Sequence, residues 1–253
     1  MPLLLDLDNT ILPTKSCYDY AIQALSLDWE DKSYGDKNQF FELYEKARHL
    51  TKKILVGSPS NRLRVIYFKK MIEQKFGSLD AQAIDRIFWL ESRYNYHFHF
   101  QISEEKANRK EWELVFNRMM ELDRRHRICF VTNENLRTQL YKCKIFFPEN
   151  FRFRMICSEE VGIEKPDPSF FRYVLGQMEA QSKDCFLIGD SWEDDIQGAL
   201  ACSIPALHLI EMFGEPQITK SLGKPESELP PLFSSNHILS ALEQADHWLR
   251  EAS

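Results

Sequence analysis

One short apolar strand opens this chain, a long helix-forming stretch follows, and only then do strands and helices alternate. Leu3-Leu4-Leu5 runs almost from the N-terminus and breaks at Asp6-Leu7-Asp8, as a buried strand does where its end meets a polar site. Residues 16–113 then lose strand character. Helices are expected from a Ser16 cap through Leu25 and over 38–55, 60–76, 80–97 and 103–123, with Ser60 or Asn61 capping the third. From Arg127 the pattern changes. Strands are predicted over 127–131, 153–157, 185–188 and 206–210, separated by helices over 135–141, 169–178 and 194–201. Residues 215–235, rich in Pro, Ser and Gly, read as a loop or linker, and 236–251 as a final amphipathic helix.

Such alternation builds a parallel sheet whose first strand is supplied from before the helical block. The expected fold class is therefore α/β, a Rossmann-like parallel-sheet core with an inserted all-helical cap domain. The core takes residues 1–13 and 120–253, and the cap takes 14–119. In open α/β sheets ligands bind at the carboxyl ends of the strands, which is where Asp6 and Asp8 fall.

Composition removes several alternatives. With 43% apolar and 28% charged residues in 253, the chain can bury a sizeable core, and no apolar run approaches the roughly 18–20 residues of a membrane span. Met1-Pro2 leads straight into the acidic motif, without the basic region of a secretory signal. Six widely spaced cysteines with no CxxC read as free thiols. A cytoplasmic protein that is not membrane-bound is expected. The net charge of −6 argues against a nucleic-acid polymer as partner. It is uneven: residues 14–115 hold 17 Lys or Arg against 15 Asp or Glu, the remainder 15 against 23.

Four segments stand at or just beyond predicted strand ends: Asp6-Leu7-Asp8-Asn9-Thr10, Phe130-Val131-Thr132-Asn133, Lys165-Pro166-Asp167-Pro168 and Gly189-Asp190-Ser191-Trp192-Glu193-Asp194-Asp195. Together and in this order they resemble the four motifs of the haloacid dehalogenase-like superfamily. The resemblance covers residues 1–13 and about 120–212; the helical block is similar to the superfamily's C1-type cap in position and helical character.

A carboxylate beside a cation can attack phosphorus and split a hydrolysis into two steps, and the resemblance implies that Asp6 is this nucleophile. It implies that Asp8 is the general acid and base. Haloacid dehalogenases themselves lack a carboxylate there, so Asp8 favours phosphate-ester hydrolysis. An oxygen-rich set of Asp6, Asp190 and the Asp8 carbonyl suits Mg²⁺, with Asp194 or Asp195 in support and Asp195 favoured by the continuation Asp195-Ile196-Gln197-Gly198-Ala199. Thr132, Asn133 and Lys165 are implied phosphate contacts. Asn9, a possible substrate contact, stands where many relatives have Gly, as does Ser203 in the turn before the next strand.

In the helical block, Arg48, Lys52, Lys53, Arg62 and Arg64 are candidate contacts to an anion or sugar. The expected function is Mg²⁺-dependent phosphatase action, through an aspartyl-phosphate, on a small soluble phosphorylated metabolite such as a nucleoside monophosphate or sugar phosphate, by a monomer or homodimer. A phosphomutase of the same fold and a catalytically silent interaction protein are the alternatives.

Overall fold

A computed structural model describes residues 1–221 and 230–251. Strand β1 (Pro2–Leu5) leads into α1 (Thr14–Asp31), α2 (Lys37–Ile54), a 3₁₀ turn (Pro59–Arg62), α3 (Arg64–Phe76), α4 (Ala81–Asn108) and α5 (Glu111–Asp123). The alternating part follows: β2 (Arg127–Thr132), α6 (Leu136–Phe146), β3 (Arg154–Cys157), α7 (Ser158–Val161), α8 (Pro168–Gln177), β4 (Phe186–Gly189), α9 (Gln197–Ala201) and β5 (Ala206–Leu209). Strands β6 (Phe213–Ser221) and β7 (Leu232–His237) and helix α10 (Ile238–Glu251) complete it. No helix among the described residues is long and apolar enough to cross a membrane.

The sheet order is β3-β2-β1-β4-β5-β7-β6. All neighbours are parallel except β6, which runs antiparallel to β7 at the edge. This is the expected α/β class with helices inserted after β1. The period-two alternation of a strand divides its leucines between faces. Leu3 and Leu5 join a core with Phe130, Phe186 and Ile188, while Leu4 packs with Val131, Leu187, Phe170 and Phe171 on the other side. Burial on both faces is what a central parallel strand requires.

Residues 215–235 are not simply a loop. Residues up to Ser221 and from Leu232 form the β6–β7 pair, with 222–229 lying outside the described residues. The Pro, Ser and Gly content made the segment resemble a loop, but an edge strand tolerates a proline such as Pro216, and the register shifts between Phe213 and Ile218, where it lies. The expected break near 97–103 is also absent: α4 continues to Asn108. That stretch has no Gly or Pro, and His97, Phe98 and Ile102 keep one buried face. Two expected caps serve elsewhere. α1 begins at Thr14 with no side-chain cap, and the Ser16 hydroxyl donates to Pro13 O and Glu105. The Asn61 amide donates to Glu164, 2.9 Å away, while α3 begins only at Arg64.

α5 and α10 meet around Asp246, 3% exposed. Arg118 at 3.0 Å, Arg125 at 3.2 Å, His126 at 3.0 Å and Arg250 at 2.6 Å converge on it. Removing the one acid strands several cations, so Asp246→Ala is expected to cost about 3 kcal/mol of stability. Urea unfolding checks this; a loss below about 1 kcal/mol would show that the cluster is surface-like. Ser203 closes the turn into β5 at φ +56, a left-handed conformation that costs a non-glycine residue about 1 kcal/mol or more. Ser203→Gly should therefore raise the thermal midpoint, and a lowered midpoint would refute the strain.

Candidate active site

Because β1, β2 and β4 are parallel and adjacent, their carboxyl ends open at one edge of the sheet. Asp6 follows β1, and its backbone N–H donates to Ile188 O at 2.9 Å. Thr132 ends β2 and Asp190 follows β4. Lys165 arrives from the segment after α7, and Asn133 brackets it: the Asn133 amide accepts from Lys165 N and donates to Lys165 O, both at 2.8 Å. Lys165 is 2% exposed. Its ammonium donates to Asp6 at 2.7 Å, Asp195 at 2.5 Å and Val131 O at 2.8 Å.

Carboxylate oxygens of Asp6, Asp190 and Asp195 lie within 4.8 Å of one another. Gly189 permits this, since a Cβ there would run into the Asp195 side chain. A single π-helical turn, Trp192–Ile196, follows; Ser191, not Asp194, caps it by accepting from Asp194 N at 3.0 Å. Asp195 also accepts from Ser191 N at 3.1 Å. Thr10 donates to Asp6 at 3.2 Å and lies 3.3 Å from Asp190.

Electrostatics follow from this crowding. Burial raises the Asp6 carboxyl well above the usual range; Lys165 opposes that, while Asp195, Asp190 and Asp8 add to it. Asp190 is pushed up to about 7, first by burial and then by Asp195. Burial works against the Lys165 charge, but Asp195 and Asp6 more than reverse it. Three clustered carboxylates beside one ammonium, which bonds only Asp6 and Asp195 among them, leave a surplus of negative charge, and the donors are all oxygen. That set fits a hard divalent cation, and the three aspartates form a candidate metal site.

Asp8 lies apart from that cluster. Its carboxylate accepts from Lys142 at 2.5 Å, Thr14 at 2.6 Å and Gln139 at 2.9 Å. Burial alone would raise its pKa, yet the Lys142 charge and these three hydrogen bonds bring it below the usual value. Lys142 and Gln139 are fully buried and went unforeseen. The available signal was two polar residues three apart on the inward stripe of α6, beside Cys143 and Phe146. Gln139 also donates to the Thr132 hydroxyl, tying Asp8 to the end of β2.

Asn9 sits at φ +58, a turn position that suits glycine, and its side chain accepts from Lys15 N at 2.9 Å. A cleft of about 810 Å³ opens above these residues. It brings together Asp6, Asp8, Asn9, Thr132, Asn133, Lys165, Asp190, Asp194 and Asp195 from the sheet edge with Arg48, Lys52, Arg62 and Arg64 from the inserted helices. Lys53 is not among its lining residues. Arg64 lies 4.8 Å above the Tyr18 ring and pairs with Glu134 at 3.2 Å, while Tyr18 donates to Glu134 at 3.1 Å. Trp192 does not line the cleft and packs edge-on against His208 at 5.6 Å. His97 bonds Asp28 at 2.7 Å and His99 stacks on Tyr141, so the two histidines serve separate contacts.

A family model described as haloacid dehalogenase-like hydrolase matches residues 3–202. The chain is 26% identical over 234 residues to the ribulose-1,5-bisphosphate 5-phosphatase of Halopiger xanaduensis, covering 89% of this chain and 91% of that protein. To the N-acylneuraminate-9-phosphatase of Mus musculus it is 30% identical over 103 residues, 41% of this chain and 42% of that one. Among solved structures, the 2-haloacid dehalogenase of Pseudomonas syringae aligns at TM-score 0.63 and 19% identity over 98% of each chain. A HAD phosphatase from Thermococcus onnurineus aligns at TM-score 0.61 and 15% identity over 96% of each. At such identities these two structures establish the shared fold.

Proposed function

The chain belongs to the haloacid dehalogenase-like hydrolase family, and on that premise we propose that it is a Mg²⁺-dependent phosphatase of the family's C1-capped branch, hydrolysing a small phosphorylated metabolite. One observation carries the choice of phosphate ester: a second carboxylate, Asp8, lines the cleft that Asp6 lines and is held by its own lysine. An alkoxide leaving group needs a proton, and a group that can deliver and retrieve one supports ester hydrolysis. The full-length relative and the partial one are both named as phosphatases, and ribulose and neuraminate favour a sugar phosphate over a nucleotide.

In this reading the Asp6 carboxylate attacks phosphorus and forms an aspartyl-phosphate while Asp8, which must first take up a proton from solvent against the pull of Lys142, passes that proton to the departing oxygen. Asp8 then takes a proton from the water that attacks the aspartyl-phosphate, releasing phosphate and restoring Asp6. Mg²⁺ bound by Asp6, Asp190 and the Asp8 carbonyl would supply positive charge against the phosphoryl oxygens. Asp195 orients Lys165, whose ammonium reduces repulsion between Asp6 and the incoming phosphate. Thr132 donates its hydroxyl to a phosphoryl oxygen, since that hydroxyl already accepts from Gln139. The Asn133 side chain, committed to the Lys165 backbone, acts by positioning the lysine.

Helices α1 to α4 form the cap, which shields the site from bulk water. Helix α5 contacts β2 and α10, so the division we propose returns to the core at Lys110, earlier than residue 120. The test is phosphate release across a panel of metabolite phosphates. Turnover with Mg²⁺ and its loss, by about 100-fold or more, with a chelator are expected; metal-independent turnover would overturn the proposal.

A further inference from the structure

We propose that the cleft carries a second anion site, formed by Arg48, Lys52 and Arg62, so that the substrate bears another anionic group, a phosphate or a carboxylate, away from the phosphate that is cleaved. The inference rests on the phosphatase reading of the Asp6 end and adds a substrate class to it. Arg48 and Lys52 stand one turn apart on α2, on one face of the helix. Both line the same cleft as Asp6, as does Arg62 at the end of the 3₁₀ turn.

Of these three cations, only Arg48 has an acid within hydrogen-bonding distance, the exposed Glu45. Arg62 lies 3.5 Å from Glu164 and 3.6 Å from Asp194, at or beyond the outer limit of hydrogen bonding, and its Nε is buried without a hydrogen-bond partner. Arg48 pairs at 3.1 Å with Glu45 three residues earlier, both side chains well exposed at 43% and 60%, and such pairs contribute little. Lys52 makes no hydrogen bond or ion pair among the described residues. Its ammonium is disfavoured first by partial burial and then by Arg48, Arg62 and Arg64, with Glu164 acting in the opposite sense. Arg64 differs, being already committed to Glu134 and Tyr18.

Of the sheet-edge carboxylates, Asp194 alone reaches the cluster, 3.6 Å from Arg62. The charges that act most strongly on Asp6 are Lys165, Asp195, Asp190 and Asp8. The cleft thus has one end where negative charge is in surplus and a wall where positive charge is. At about 810 Å³ it accommodates far more than a phosphate group. Tyr44 lines the same wall, and its hydroxyl makes no hydrogen bond within the described protein, leaving it available to a polar linker between the two anions. An anion set among Arg48, Lys52 and Arg62 relieves their mutual repulsion.

The test compares matched pairs in Mg²⁺: ribulose bisphosphate with ribulose monophosphate, fructose bisphosphate with fructose monophosphate, and phosphogluconate with glucose phosphate. In at least one pair the doubly anionic member is expected to have kcat/KM about 30-fold higher, and Arg48→Gln/Lys52→Gln should reduce that ratio about tenfold. The charge-conserving swap Arg48→Lys/Lys52→Arg should keep most of the ratio. A ratio within one pair is insensitive to the fraction of protein that folds. Calorimetric binding of the same pairs to Asp6→Asn separates the two readings. Preferential binding of the doubly anionic member, lost in Arg48→Gln/Lys52→Gln, supports the anion site even if the wild type hydrolyses none of the compounds, a result that would overturn the phosphatase reading alone. Hydrolysis without preference in any pair, a preference that survives removal of both charges, or no preference in turnover or binding overturns the anion site. The phosphate and carboxylate pairs tell the two kinds of second anion apart.

Discussion

Asp6→Asn is expected to reduce phosphate release by roughly 10⁴-fold or more, because an amide has no anionic oxygen with which to attack phosphorus. The substitution is nearly isosteric, so Lys165, Thr10 and the β1 end should keep their places. The residue is 5% exposed and its backbone is held by Ile188 O at 2.9 Å, which leaves little room for another group to replace it. Two measurements check the assignment together. Rapid acid quench of the wild type with labelled substrate should trap protein-bound phosphate, and the same experiment on Asp6→Asn should trap none. Equal turnover by the two proteins, or equal trapped label, would exclude Asp6 as the nucleophile. Under identical conditions Asp8→Asn should still form the trapped species from an aryl phosphate, whose leaving group needs little protonation, and release it slowly.

Lys165→Met should be nearly as damaging to turnover, and it should also affect folding. The ammonium is the shared partner of Asp6 and Asp195, at 2.7 and 2.5 Å, and a donor to Val131 O. Without it, the three clustered carboxylates repel one another in a buried site. Breaking a buried pair from one side costs about 3–5 kcal/mol, so the variant should unfold at a lower urea concentration than the wild type. Turnover should fall about 10³-fold, since the charge that moderates repulsion between nucleophile and phosphate is gone. Added Mg²⁺ should stabilise Lys165→Met more than it stabilises the wild type, because a cation meets a larger negative surplus there. Thermal melts with and without Mg²⁺ measure the difference. An unchanged midpoint in the variant, with no added response to Mg²⁺, would mean that the Lys165 contacts contribute little.

The placement of the candidate site residues was legible from local rules. Strand periodicity and the breaks at Asp6, Thr132 and Asp190 put these side chains at strand ends, and parallel strands send all such ends to one edge. The Lys165-Pro166-Asp167-Pro168 segment was recognisable by its order along the chain, although nothing local to it reveals that Lys165 reaches Asp6, 159 residues away. Secondary structure failed where local preference and tertiary pairing disagreed. The Pro, Ser and Gly content of 215–235 suggested a loop, yet β7 supplied a partner for an edge strand. Two helices were expected over 80–97 and 103–123, yet a continuous buried face carries α4 through to Asn108.

By itself the sequence determined the parallel sheet with helices inserted after its first strand, and which carboxylates stand at its edge, because both depend on period and turn chemistry within a few residues. Only the tertiary structure decided what those groups meet. Asp8 is paired with Lys142 across 134 residues, Glu134 receives Arg64 and Tyr18 from the inserted helices, and the cations of α2 and the 3₁₀ turn gather on a wall of the cleft. Ion pairing acts through space over a few ångströms, and a residue's neighbours along the chain carry no record of which distant charge folding will bring beside it.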